Sequence, residues 1–240
     1  MHFASQIIWT LGFALVVLSS PAWAATDLFV EDFTSSHANW ANYNTSAPLT
    51  HVASGGPDLG AFASGPRPFL GLPAGGPTDV AVVFRARPET IWNSSGGAFV
   101  RDYSADGIGV VSAFVRHNVP DPLTFFVRVA TGPGSPGHVY AAGVDVPPNV
   151  WTKISADVSP DSPQLLSSEG SSWNAVFPAA RHLQIGVVTP LGYAGIATAY
   201  TFDVDQVTLS TPEPTAAALA AVGFVALACS TRRRNRGGGS

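Results

Sequence analysis

The sequence has one cysteine, Cys229, and none between Ala25 and Thr211. That excludes a disulfide-stapled fold and a thiolate zinc site for the whole central region. Lysine is almost as rare, with Lys153 alone. Charged residues make up 12% of the chain, against about a quarter in ordinary soluble proteins. Between Ala25 and Thr211, eight Arg or Lys stand against fifteen Asp or Glu. A surface that acidic does not neutralise phosphates, so nucleic acid is not expected as a partner. Catalytic signatures are missing too. There is no Gly-x-Ser-x-Gly elbow and no His-Glu-x-x-His pair. The central region has three glutamates, Glu31, Glu89 and Glu169, and its histidines (His37, His51, His117, His138, His182) are not spaced as ligands from one element. No enzyme is expected.

What the chain does have is 24 glycines, 20 prolines and many short β-branched or aromatic runs between them. No heptad or long 3.6-residue pattern occurs. The runs are Leu28–Phe33, Val80–Arg87, Ile108–Arg116, Leu123–Ala130, His138–Val144, Val150–Val158, His182–Val188 and Thr198–Leu209. Several alternate: Ile154, Ala156 and Val158 oppose Lys153, Ser155 and Asp157, and Leu183, Ile185 and Val187 oppose His182, Gln184 and Gly186. Such alternation marks antiparallel sheet buried on one face. The expected fold is all-β, a single jelly-roll-like antiparallel sandwich over residues 25–210. Residues 44–79, rich in Gly, Pro, Ala and Ser, are expected as a long loop region with room for one or two strands near Leu59–Ala63. Segment 159–177 is expected as a second polar loop.

The last run contains a conflict. Tyr200, Phe202 and Val204 share one parity, yet Val207 and Leu209 fall on the parity of Asp203 and Asp205. One strand cannot bury both sets unless a bulge or sharp twist intervenes near Asp205-Gln206. Carboxylates beside a bulge are hard oxygen ligands of the kind that suits calcium.

Both ends read as processing segments. Residues 1–24 carry an apolar run from Ile7 to Leu18, breakers at Ser19-Ser20-Pro21, and Ala22-Trp23-Ala24 ahead of Ala25. This is the pattern that signal peptidase cuts, so a mature start at Ala25 is expected. At the other end, Pro212-Glu213-Pro214 precedes an uncharged, alanine-rich stretch, with a transmembrane helix expected at about 215–230. Arg232, Arg233, Arg234 and Arg236 follow, a placement that keeps a helix end cytoplasmic. This tail, residues 211–236, resembles the PEP-CTERM sorting signal of exported bacterial proteins; residues 237–240 extend beyond it. The resemblance implies an exosortase-type transpeptidase as processing partner, cleavage near the motif, and a producer of exopolysaccharide. It places the domain in the cell envelope, on the surface or in the extracellular matrix, after transient anchoring in the inner membrane.

The central region resembles carbohydrate-binding-module-like and galactose-binding-like jelly rolls at two places, Glu31-Asp32-Phe33 and Phe202 through Leu209. A laminin-type sandwich echoes Gly65-Pro66-Arg67-Pro68-Phe69-Leu70-Gly71. The jelly-roll resemblance implies adjacent first and last strands, joined by one structural Ca²⁺ held by Glu31 or Asp32 with Asp205. Trp151, Trp92 and Trp173 are the candidates for stacking on a sugar, because a tryptophan offers a flat apolar face and a polar N–H at its edge. Trp151 shares the polar parity of its strand, and Trp92 and Trp173 lie in loop-like stretches. The function expected is a non-catalytic exported protein that binds extracellular polysaccharide. The alternatives are a structural or adhesive sandwich with protein partners and, more distantly, a polysaccharide-active enzyme.

Overall fold

The chain alternates strand and turn from Asp27 to Ser210. The computed structural model describes residues 25–43, 47–72, 80–87, 93–132, 134–189 and 192–212. The signal segment 1–24 and residues 213–240, with the expected helix at 215–230, lie outside these. Among the described residues no helix is long and apolar enough to cross a membrane.

Strands β1 (Asp27–Glu31), β3 (Thr50–Val52), β4 (Phe62–Pro68), β6 (Val110–His117), β9 (Thr152–Asp157) and β12 (Ala199–Ser210) form one sheet. Its order is β3-β4-β12-β6-β9, with β1 also on β12. Strands β2 (Ala41–Asn42), β5 (Val80–Ala86), β7 (Leu123–Ala130), β8 (Gly137–Val146), β10 (Leu165–Ser167) and β11 (His182–Val188) form the second, in the order β10-β8-β7-β11-β5-β2. The strand pairings in both sheets are antiparallel. The molecule is therefore an all-β antiparallel sandwich of jelly-roll type. First and last strands adjoin, with Glu31 opposite Val207.

The core between the sheets is aromatic. Trp40 meets Phe33 and Phe99 edge-on at 5.8 and 5.3 Å, and its indole N–H donates to Ser95 Oγ at 2.9 Å. Phe202 meets Phe69 and Phe125 at 6.4 and 6.3 Å. Edge-to-face pairs of this kind add about 0.5–1.5 kcal/mol each beyond the area they bury.

Strand β12 keeps all its apolar residues buried through a bulge. Its register against β6 shifts between Asp205 and Thr208, and Gln206 takes φ 47°. Phe202, Val204, Val207 and Leu209 all reach the core as a result.

Three sequence expectations change. The stretch 44–79 does hold two strands, but β3 comes earlier than expected and β4 runs on to Pro68. Pro66 and Pro68 hid that strand; they lie beyond the Phe62–Ser64 segment that β3 pairs with, where a missing N–H costs no bond to that neighbour. Segment 159–177 contains β10 and a short helix, α1 (Trp173–Val176), followed by Phe177 in the core. Finally, β11 is buried on both faces, because His182, Gln184 and Gly186 are covered as well. Gly186 shows how closely: a Cβ there would stand 2.6 Å from the Phe126 ring and 2.3 Å from the Ala81 carbonyl oxygen.

Candidate functional site

On the outer face of the first sheet, Arg116 of β6 stands directly across from Asp203 of β12. Alternation puts both on the face away from the core, since Val115 and Phe202 point inward. Arg116 Nε donates to Asp203 Oδ2 at 2.8 Å, and the Asp203 side chain is only 8% exposed. The guanidinium carbon also lies 4.6 Å from the Trp151 ring centroid and 5.1 Å from that of Phe62. Those two rings meet edge-on at 5.3 Å. The Trp151 N–H donates to the Gly55 carbonyl at 2.9 Å. A cation, a carboxylate and two rings thus fix one another across three strands.

Beside this group opens a pocket of about 280 Å³, lined by Arg116, His117, Asn118, Asn149, Thr201 and Asp203. Backbone bonding shapes it. Asn118 N–H donates to the Thr201 carbonyl at 3.2 Å, Thr201 N–H returns to Asn118 Oδ1 at 2.8 Å, and Asn149 N–H donates to the His117 carbonyl. Asn149 adopts φ 59°, a conformation asparagine tolerates better than most residues. His117 Nε2 donates to the Val146 carbonyl at 2.9 Å. Burial holds its pKa below the ordinary histidine value, so the ring is neutral at physiological pH. The pocket therefore offers amides, a hydroxyl and a guanidinium, with one carboxylate already paired.

A second polar feature surrounds Asp205, which is 1% exposed. Its Oδ1 accepts the Gln206 N–H at 2.8 Å. A Cβ on Gly56 would sit 3.1 Å from Asp205 Oδ2, from the Gly60 carbonyl oxygen and from the Ala61 carbonyl oxygen alike. Three oxygens thus face one point that only a glycine leaves open. Burial pushes the Asp205 pKa up to about 7; the Gln206 N–H opposes this, and the negative charges of Asp58, Asp32 and Glu31 add to it. Glu31 Oε1 accepts the Phe33 N–H at 3.0 Å and Asp32 Oδ1 the Thr34 N–H at 3.1 Å, so both are engaged in their own turn. Among the described residues no three His, Cys, Asp or Glu side chains form a group able to hold a metal ion. Of the oxygens around this point, one is a carboxylate and two are backbone carbonyls, and the Gly60 carbonyl already accepts the Gly56 N–H at 2.9 Å.

The other tryptophans are placed differently. Trp173 stacks on Phe177 at 4.6 Å and donates its N–H to the Val158 carbonyl at 2.8 Å, so it packs one face inward. Trp92 lies outside the described residues, as do Ala22, Ala24, Glu213, Pro214 and Arg232 to Arg234. Ala25 is half-buried and Pro212 exposed. Arg116, Asn118, Asn149 and Thr201 carried no sequence signal. They come from three separate segments, and only strand register unites them.

No family model matches the chain, and no curated protein matches it. Among solved structures, the CBM22-1–GH10 modules of a Clostridium thermocellum endo-1,4-β-D-xylanase, complexed with xylohexaose, align with a TM-score of 0.44 at 16% identity. The alignment covers 78% of this chain and 29% of that one, so the chain spans under a third of the xylanase's length. An isolated xylan-binding CBM22 domain aligns with a TM-score of 0.44 at 10% identity, over 79% of this chain and 97% of that one. A sugar-binding protein from Bacteroides thetaiotaomicron aligns with a TM-score of 0.37 at 11% identity, over 78% and 95% of the two chains. The sandwich described above rests on this chain's own strand pairing.

Proposed function

We propose that the domain is a non-catalytic carbohydrate-binding module of an exported protein. The pocket lined by Arg116, Asn118, Asn149, Thr201 and Asp203 carries this reading. At about 280 Å³ it lies near the lower end of small-molecule pockets, which start at about 300 Å³. Its amides and hydroxyl match the alternating donors and acceptors of sugar hydroxyls. Trp151, held by Arg116 and the Gly55 carbonyl, supplies a fixed aromatic ring next to the lining residue Arg116. The single lining carboxylate, Asp203, is held by Arg116, whereas sugar hydrolysis ordinarily takes two carboxyl groups. This favours binding over catalysis.

Affinity electrophoresis against a polysaccharide panel, with Trp emission read in parallel, tests the reading. Retardation that Asn118→Ala and Asn149→Ala reduce together is expected. Unretarded migration on every polysaccharide ends it.

Two further parts belong to the same proposal. Asp205 with the Gly60 and Ala61 carbonyls would hold one Ca²⁺ between the β12 bulge and the loop that enters β4, Glu31, Asp32 and Asp58 contributing negative field. The ion's role there would be structural. The terminal patterns support export through signal peptidase and sorting by an exosortase-type transpeptidase to the envelope or matrix. Recovery of a mature chain intact through Arg236 by mass spectrometry would reduce that tail to a plain anchor. An adhesive reading, with a protein partner, draws on Leu28 and Val30 of β1, exposed by 41% and 43% on one strand face.

A further inference from the structure

The ion pair at the candidate pocket is only half used. Arg116 Nε donates to Asp203 Oδ2 at 2.8 Å, and the pair shares no second hydrogen bond. An arginine and a carboxylate that face each other squarely form two parallel bonds. Here Asp203 Oδ1 and both Arg116 Nη atoms make no hydrogen bond among the described residues. The Trp151 and Phe62 rings steady the guanidinium carbon at 4.6 and 5.1 Å. A ring face does this without supplying an acceptor oxygen.

The unused atoms are within reach of a ligand. Arg116 and Asp203 both line the pocket of about 280 Å³. The Arg116 side chain is 28% exposed, and Asp203 Oδ1, though unbonded, is not sealed from solvent. Asn118 and Thr201, each two residues along its strand direction on the same outward parity, frame the opening. Charge along the lining sums to zero, with one guanidinium, one carboxylate and a neutral His117. Beyond it, residues 25–211 hold fifteen acids against eight bases.

A charged acceptor beside a charged donor matches two adjacent hydroxyls, since each hydroxyl can give one hydrogen and accept another. An ionised carboxylate on the ligand is worse placed. It has no hydrogen to give to Oδ1, and it meets the Asp203 charge along with that of Arg116.

We propose that Arg116 and Asp203 read one sugar residue jointly, Asp203 Oδ1 accepting from a hydroxyl and an Arg116 Nη donating to its neighbour, so that the pocket takes neutral glycans and rejects uronates. This rests on the carbohydrate reading above and narrows it to a ligand class.

Calorimetric titration of the full chain with xylohexaose, cellohexaose, mannohexaose and hexagalacturonate tests it. At least one neutral sugar is expected to bind, and hexagalacturonate to be weaker by about tenfold or more. Asp203→Asn keeps the shape of the side chain and removes its charge. It should weaken the neutral sugar about fivefold, the difference between a charged and a neutral acceptor. It should also tighten hexagalacturonate about tenfold, because Arg116 is then left with its charge unpaired. The fully O-methylated form of the neutral sugar accepts hydrogen bonds and gives none. Its binding to the parent should be weaker by about tenfold or more, a measurement that needs no variant to fold. Hexagalacturonate that binds the parent as tightly as any neutral sugar overturns the proposal. So does an Asp203→Asn chain, folded by near-ultraviolet circular dichroism, with both affinities unchanged, and so does a methylated sugar that binds like the free one. Each of these results leaves the carbohydrate reading standing; if no sugar binds, both fail.

Discussion

The Arg116 guanidinium carbon lies 4.6 Å above the Trp151 ring while its Nε holds Asp203 at 2.8 Å. One side chain therefore neutralises a nearly buried carboxylate and fixes the Trp151 ring next to the candidate pocket. Removing it in Arg116→Ala strands Asp203 and frees the ring. We expect a loss of about 1–3 kcal/mol together with a red shift of Trp emission. Urea unfolding followed by fluorescence reads both, and an unchanged emission maximum would separate Trp151 from Arg116.

Asp205 sets a sign for the pH dependence. Its folded pKa is about 7 against an ordinary value of 3.8. Between those values the folded state holds a proton that the unfolded chain has released. Without metal, this group's contribution to stability is therefore present below the unfolded pKa and is lost as pH rises toward 7. Asp205→Asn should remove the dependence and become more stable than the parent at pH 8 by on the order of 2–4 kcal/mol. Denaturation in EDTA at pH 5 and pH 8 measures the difference.

Calcium should reverse that order. A bound cation favours the ionised carboxylate, so added Ca²⁺ should raise Tm more at pH 8 than at pH 5. Gly56→Ala places a methyl group at the point 3.1 Å from all three oxygens. It should abolish the calcium effect, and melting with and without EDTA reads it. An unchanged midpoint on adding EDTA to the parent removes the ion.

Phe202 joins the two sheets through Phe69 and Phe125 and is fully buried. Phe202→Ala should cost about 3–5 kcal/mol. Phe202→Leu, which leaves a smaller cavity, should cost less. Chemical denaturation of both variants checks the order.

Much of the fold was legible because alternation is a local property. Ile154 and Ala156, or Leu183 and Ile185, declare their buried face within six residues. The bulge at Gln206 was legible for the same reason, as a break in parity. Strand β4 was not, because Pro66 and Pro68 carry turn chemistry and only their position beyond β3 makes them tolerable. The outer face of β11 was misleading: Gln184 and His182 look solvent-facing until their buried surroundings are known. Within the candidate site, Trp151 and the Asp203–Asp205 pair stood out, since each sits on a clear parity. Arg116, Asn118, Asn149 and Thr201 did not. That grouping exists only across strands, where register is a property of the whole sheet.

The last strand also has a mechanical meaning. β12 is bordered by β4 along Ala199–Val204, by β6 from Phe202 to Ser210 and by β1 from Val207 to Ser210, beyond which Thr211 N–H still reaches the Thr26 carbonyl at 3.0 Å. A pull applied through the chain after Pro212, against a ligand held in the Arg116 pocket, runs along β12. It loads the flanking hydrogen bonds in shear, all at once, rather than peeling them singly. A domain tethered from this end would hold its grip under flow better than one hung from an edge strand.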